Sequence, residues 1–266
     1  MRVRYVANLS TLFTEAPFLD RFSRAAAAGF THVEFWFAHE YPTPTLRAQL
    51  RSNDLHLVLF NLKPGDFAAG DRGLLCDPVR RDEFRRAMDE GLEIACQLDC
   101  ALIHTMVGRT REDLARTVQY ACIVENLQWA APRARDAGVI LLIEALNWHD
   151  NPGFFLTTSR EAYSIVKDVR QPNVKFQFDF YHLQITEGDL TRNFLAHLAD
   201  IGHVQIADVP GRHEPGTGEV NYAFVLNTIE NSGYAGFVGL EYKPFGSTDE
   251  SLKWLPREAR GTLGSA

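Results

Sequence analysis

Eight short apolar runs, separated by longer stretches of helical periodicity, occupy this chain from end to end: 3–9, 32–35, 57–61, 101–105, 139–144, 174–179, 203–207 and 237–241. Their near-continuous apolarity, without strict alternation, suits parallel strands covered on both faces. Helices are predicted over 17–28, 43–51, 81–98, 111–137, 159–169, 189–199, 222–231 and 248–255. Pro17 opens the first and Gly29 closes it. Ser159 is the expected N-cap of its helix, and Pro132 should kink or break the long one. Eight β-α units in series predict an α/β fold, a single (β/α)8 TIM barrel over residues 1–258 with a flexible C-terminal tail at 259–266. The 266 residues suit such a barrel. A doubly wound sheet would carry a Gly-rich phosphate loop after its first strand, and Ala7-Asn-Leu-Ser-Thr-Leu-Phe13 has none.

Four consecutive runs carry a polar residue at or near their carboxyl end: Glu144, Asp179, Gln205 and Glu241. The spacings (144 to 179, 179 to 205, 205 to 241) each hold one strand, one loop and one helix. Neighbouring barrel strands would therefore aim three carboxylates and one amide into a single space. One polar residue at a strand end is ordinarily a solvent-facing terminus; four in succession are not so simply explained. Three carboxylates cannot share a dry pocket without a cation. The expectation is a divalent metal site with Glu144, Asp179, Gln205 and Glu241 as oxygen donors, a set that suits Mg2+ or Mn2+, and also Co2+, better than Zn2+.

Two loops are long, 62–80 after the third run and 208–220 after the seventh. Both fall on the barrel face where active sites are built. The second carries Arg212, whose guanidinium fork could clamp a carboxylate. Lys243 is a further candidate anion contact. His182, just past the sixth strand, could reach a substrate hydroxyl, and Asn61 and His104 end the third and fourth strands. For each of these taken singly, an ordinary loop or packing role competes. A hard cation, two glutamates and an anion clamp suit proton transfer beside a carbonyl, through an enediolate, with Glu144 and Glu241 removing and returning the proton.

Composition narrows the partners. The net charge of −7 argues against a broad nucleic-acid footprint. Four cysteines show no zinc spacing and read as small buried side chains in a reducing compartment. With neither a signal-peptide core nor a membrane-length apolar stretch in view, a cytoplasmic protein with no membrane partner is expected.

Several segments together resemble the hydroxypyruvate isomerase family. They are Ala7-Asn-Leu-Ser10, Phe13-Thr-Glu-Ala-Pro-Phe18, Leu59-Phe-Asn61, Pro64-Gly-Asp66, Glu144-Ala-Leu146, Asp179-Phe-Tyr-His182, His203-Val-Gln-Ile-Ala207, Arg212-His-Glu-Pro215, Gly218-Glu-Val-Asn-Tyr222 and Glu241-Tyr-Lys-Pro244. The resemblance covers the chain from about Tyr5 to Trp254 and implies a xylose-isomerase-like barrel. It implies an aldose–ketose isomerase acting on a small anionic sugar acid, hydroxypyruvate going to tartronate semialdehyde, or a 2-oxo-tetronate in the closely similar enzymes. By the same likeness Glu144 and Glu241 are the catalytic pair and also metal ligands, Asp179 and Gln205 complete the shell, and Arg212, His182 and Lys243 hold the substrate. A homo-oligomer is implied as well. Related ketose 3-epimerases carry histidine where Gln205 stands. A ketose 3-epimerase or cyclitol dehydratase, a metal-dependent endonuclease and a non-catalytic binding barrel are the competing readings. Trp148-His-Asp150 matches no motif.

Overall fold

The computed structural model describes residues 2–261. Its strands are β1 (Arg4–Asn8), β2 (His32–Phe35), β3 (His56–Asn61), β4 (Leu102–His104), β5 (Ile140–Glu144), β6 (Val174–Asp179), β7 (Ile201–Ile206) and β8 (Phe237–Leu240). They form a closed parallel barrel in chain order, with β8 pairing back onto β1. Around it lie α1 (Arg21–Ala27), α2 (Thr43–Ser52), α3 (Arg81–Leu98), α4 (Arg116–Asp136), α5 (Ser159–Val169), α6 (Phe180–Thr186), α7 (Leu190–Ala196), α8 (Tyr222–Asn231) and α9 (Thr248–Ser251).

The strand interiors differ from the expected continuous apolarity where it matters most. In β6, Phe176 and Phe178 turn outward onto Tyr163 of α5 and Phe194 of α7, with ring centroids 5.1 and 5.6 Å apart. Gln177 and Asp179 therefore turn inward, because side chains alternate along a strand. The same alternation sends His203 and Gln205 of β7 inside. The barrel interior thus has two parts. A small apolar plug of Val6, Val58, Leu59, Leu102 and Leu142 fills one end, and buried polar side chains fill the end toward the strand carboxyl termini.

Helix boundaries moved for identifiable reasons. Residues 18–20 are a 3-10 turn ahead of α1. The long helix starts at Arg116, because Gln119 bonds back to Arg111 through both amide ends (2.8 and 2.9 Å) and holds the preceding segment as a loop. The helix then runs unbroken through Pro132. Thr158, not Ser159, caps α5: its hydroxyl accepts from the Glu161 amide. Helix α6 was not anticipated; Asp179 caps it by accepting from the Tyr181 amide at 2.8 Å. The expected tail is partly tied down: Arg260 donates to the carbonyls of Ala28, Leu252 and Leu255. Residues 262–266 of that tail lie outside the described residues. Of the cysteines, Cys96 is exposed, against expectation, while Cys76, Cys100 and Cys122 are buried. No helix among the described residues is long and apolar enough to cross a membrane.

The loop after β7 is organised by one buried side chain. Asp208 Oδ1 accepts from the amides of Val209 and Val220, and Oδ2 from those of Gly216 and Gly218, all between 2.8 and 3.1 Å. Four backbone donors on one carboxylate convert a thirteen-residue loop (208–220) into a rigid platform. Gly218 is required there, since a Cβ would lie 2.1 Å from the Val209 carbonyl oxygen.

Candidate active site

At the carboxyl ends of the strands lies a small, partly open cavity of about 100 Å³. Asn61, His104, Glu144, His182, Arg212 and Glu241 line it. These six expected residues, from six different strands or the loops that follow them, are thus brought together.

The carboxylates define its electrostatics. Glu144, Asp179 and Glu241 are 4%, 1% and 6% exposed. Arg212 is the cation that answers them: Nη2 lies 2.6 Å from Glu241 Oε2 and 3.6 Å from Asp179 Oδ2. Its Nε donates to the Glu241 carbonyl at 3.2 Å, and its guanidinium sits 5.0 Å from the Tyr181 ring centroid. Arg212 holds a left-handed backbone (φ 60°) rare for non-glycine residues, and the Asp208 platform and the Lys243 amide bonding its carbonyl (2.7 Å) keep it there.

The two glutamates differ. Glu241 Oε1 receives Trp36 Nε1–H and, at 3.3 Å, Asn8 Nδ2, while Oε2 receives Arg212. Glu144 has less support: Oε1 is buried without a hydrogen-bond partner, Oε2 lies 3.7 Å from His104 Nδ1, and the Gln177 side chain offsets its charge only slightly. Burial and the nearby Asp179 and Glu241 charges push the Glu144 carboxyl well above its ordinary range. Burial raises Asp179 to about 7 despite Arg212. Asp179 Oδ2 is likewise buried without a partner.

Three buried carboxylates against one guanidinium leave uncompensated negative charge and two orphaned oxygens. That is the electrostatic shape of a cation site. Glu144, Asp179 and His182 each place one candidate ligand atom within 4.8 Å of the others. His182 itself is better suited to donate. The Asn147 backbone N–H donates to its Nδ1 at 3.1 Å, so the neutral ring carries its proton on Nε2, which faces Asp179 Oδ2 at 3.7 Å. Burial and the nearby Arg212 hold this ring neutral by lowering its pKa well below the ordinary value. Burial does the same to His104, taking it to about 3.

Two of the expected residues sit differently from the rest. Gln205 stands beside Asp179 in the strand register, but its amide is engaged at both ends: Oε1 accepts from Gln177 (2.7 Å) and Nε2 donates to Glu34 (2.8 Å). One lone pair of Oε1 is thus spent on Gln177. Lys243 is exposed and lies on a separate groove with Ser10, Glu15 and Trp36. The chain turns away from the barrel there, with its backbone held by Arg212 and His213.

Other contributors were missed. Asn147, which orients His182, is anchored by Asp150, whose Oδ2 also accepts from Tyr181 Oη at 2.8 Å. This gives Asp150 of the unmatched Trp148-His-Asp150 segment a supporting role. Gln177, buried in mid-strand between two phenylalanines, was a legible signal, since a polar residue there must face the barrel interior.

A closed parallel barrel with converging carboxylates at its strand ends defines a TIM-barrel enzyme. The sequence pattern of the xylose isomerase-like TIM barrel family matches residues 22–258. The chain is 45% identical over 253 residues to hydroxypyruvate isomerase of Escherichia coli K12, covering 95% of this chain and 98% of that one. It is also 45% identical over 252 residues to 2-oxo-tetronate isomerase of Cupriavidus necator, covering 95% and 97%. A solved structure described as AP endonuclease, family 2, from Brucella melitensis superposes with a TM-score of 0.93 at 44% identity, over 96% of this chain and 98% of that one. D-psicose 3-epimerase of Clostridium cellulolyticum H10, at 20% identity and a TM-score of 0.75 over 99% and 93% of the two chains, shares the fold. The chain belongs to the hydroxypyruvate isomerase family of xylose isomerase-like TIM barrels, and it is an isomerase.

Proposed function

We propose that the protein is a divalent-metal-dependent aldose–ketose isomerase of a short 2-oxo acid, converting hydroxypyruvate to tartronate semialdehyde or isomerising a 2-oxo-tetronate. The observation that carries this reading is the pair of glutamates, Glu144 and Glu241, buried on one cavity with a surplus of negative charge. Near-equal identity to a hydroxypyruvate isomerase and a 2-oxo-tetronate isomerase supports the acid class and leaves both chain lengths in the proposal.

Glu144 and Asp179 would hold the ion, with Glu241 and the remaining lone pair of Gln205 as further donors. Bound there, a dication supplies charge neutralisation and polarises the substrate's oxygens. The protein's own groups do the rest. One glutamate removes the proton from the hydroxyl-bearing carbon while that hydroxyl's own proton passes to the neighbouring carbonyl oxygen, and the other glutamate delivers a proton to the former carbonyl carbon. Donors from Trp36, Asn8 and Arg212 fix Glu241 in position, and Arg212 and Trp36 offset part of the rise that burial imposes on its carboxyl. His182 offers Nε2–H to a substrate oxygen. Trp36, Phe37 and Phe67 wall the cavity and limit water.

The test is incubation of the metal-loaded enzyme in D2O with hydroxypyruvate and with 2-oxo-tetronates, following carbon-bound protons by NMR. Isomerisation with solvent deuterium incorporation, abolished by EDTA, is expected. Turnover indifferent to EDTA, or no turnover of either acid, overturns the reading.

A further inference from the structure

Two arginines line the cavity, in opposite circumstances. Arg212 is committed to Glu241 and Asp179. Turning it toward a substrate carboxylate would strip a buried anion of its main partner. Arg72 comes from the loop between β3 and α3. Its guanidinium stacks 4.0 Å from the Phe67 ring centroid, and Phe37 meets Phe67 edge-on at 5.0 Å. Nη1 donates to the carbonyls of Phe67 (3.1 Å) and Asp71 (2.7 Å). Among the described residues no carboxylate pairs with Arg72, because the adjacent Asp71 is taken by Arg80 at 2.8 Å. Arg109 lies close enough to add positive charge. The hydrogen bonds of Arg72 among the described residues all run through Nη1, so Nε and Nη2 present an unused edge.

The loop is built to hold that guanidinium. Asp71 Oδ2 accepts from the Asp66 amide at 2.7 Å, and Gly73 bridges antiparallel to Val107. A Cβ on Gly73 (φ +129°) would fall 2.0 Å from the Met106 carbonyl oxygen, so the chain passes close enough there to carry Arg72 onto the cavity wall.

We propose that Arg72, not Arg212, receives the carboxylate of the substrate and so selects short 2-oxo acids over neutral ketoses. This rests on the isomerase reading given above. A cavity lined by two carboxylates, with the buried Asp179 behind them, repels an anionic substrate unless an unneutralised cation waits at the far end of the molecule. A stacked guanidinium is weakly hydrated and forked, which suits a carboxylate. The carbons to be isomerised then lie toward Glu144 and Glu241, with the acid end toward the β3–α3 loop.

The experiment uses full-length, Mn2+-loaded enzyme and Arg72→Met, Arg72→Gln and Arg72→Lys variants, with folding verified by circular dichroism. KM and kcat are measured with hydroxypyruvate and a 2-oxo-tetronate. Dissociation constants are measured calorimetrically for pyruvate, which keeps the carboxylate, and hydroxyacetone, which lacks it. A charge-assisted pair of about 2 kcal/mol corresponds to roughly a 30-fold effect. Arg72→Met and Arg72→Gln should raise KM and weaken pyruvate binding by about that factor. kcat should fall far less, hydroxyacetone binding should hold, and Arg72→Lys should recover part of the loss. Unchanged pyruvate binding in Met and Gln variants of an acid-isomerising enzyme overturns the assignment of Arg72 alone. A wild-type enzyme that neither turns over the acids nor binds pyruvate overturns the isomerase reading and this inference with it.

Discussion

His203 Nε2 and Glu34 Oε2 meet at 2.7 Å inside the barrel, and both side chains are fully buried. The other oxygen, Glu34 Oε1, accepts from Gln205 Nε2 (2.8 Å) and Asn8 Nδ2 (3.0 Å). Asn8 also reaches Glu241. One carboxylate from β2 therefore ties β7 and β1 together beneath the site and sets the orientation of the Gln205 amide. Removing it leaves the buried donors of His203 and Gln205 without an acceptor, and Asn8 with Glu241 alone. Glu34→Ala should cost about 3 kcal/mol or more, read as a lower urea midpoint. Gly239→Ala tests the same contact from β8, because its Cβ would sit 2.4 Å from Glu34 Oε1. A loss of about 1–3 kcal/mol is expected from that overpacking.

Glu144→Gln and Glu241→Gln should each reduce solvent-deuterium exchange by about a thousandfold or more, since among the described residues they are the two carboxylates that line the cavity. Their stabilities should diverge. Without metal, Glu144→Gln removes a charge that burial disfavours, so that variant should unfold at the wild-type urea concentration or higher. Glu241→Gln removes the acceptor for Trp36, Asn8 and Arg212 and should unfold earlier.

Metal binding should displace protons. Asp179 is raised from an ordinary 3.8 to about 7 in the metal-free protein, so between those values the folded state binds more protons than the unfolded one. Its stabilising contribution is complete below about pH 4 and is lost as pH rises to about 7. Titrating Mn2+ at pH 6 in buffers of different ionisation enthalpy should show proton release that Asp179→Asn diminishes. Equal heats in all buffers would contradict it.

The amino ends of the strands carry a contribution of opposite sign. His32 stacks on His56 (centroids 5.2 Å) and on Phe237 (4.7 Å). Burial, helped by His56 and Arg4, lowers it from 6.5 to about 4. The folded state then binds fewer protons, so the contribution is present above about pH 6.5 and lost as pH falls through about 4. Wild type minus His32→Asn, compared by thermal melting across that range, should show the difference shrinking toward acid.

The barrel was legible because its signals are local. A run of β-branched and aromatic residues, a turn and an amphipathic stretch recur eight times, and each recurrence is read within about thirty residues. The strand-end acids were legible for the same reason: Glu144, Asp179 and Glu241 each close an apolar run, and barrel geometry alone sends such residues to one face. Helix α6 was hidden because its cap, Asp179, was also a candidate ligand, and the strand it closes continues directly into the helix.

What the linear order of residues determined, then, is which groups arrive at the mouth of the barrel. Which of them are spoken for was decided by contacts between remote segments. Arg212 is neutralised by Glu241, 29 residues on, Gln205 is held by Glu34 across 171 residues, and Lys243 is carried off the cavity by the turn that binds Arg212. Arg72 stays without a carboxylate because its neighbour Asp71 reaches Arg80 instead. Charge compensation depends on ångström-scale distances between strands that meet only when the barrel closes, and such distances have no local signature in the chain.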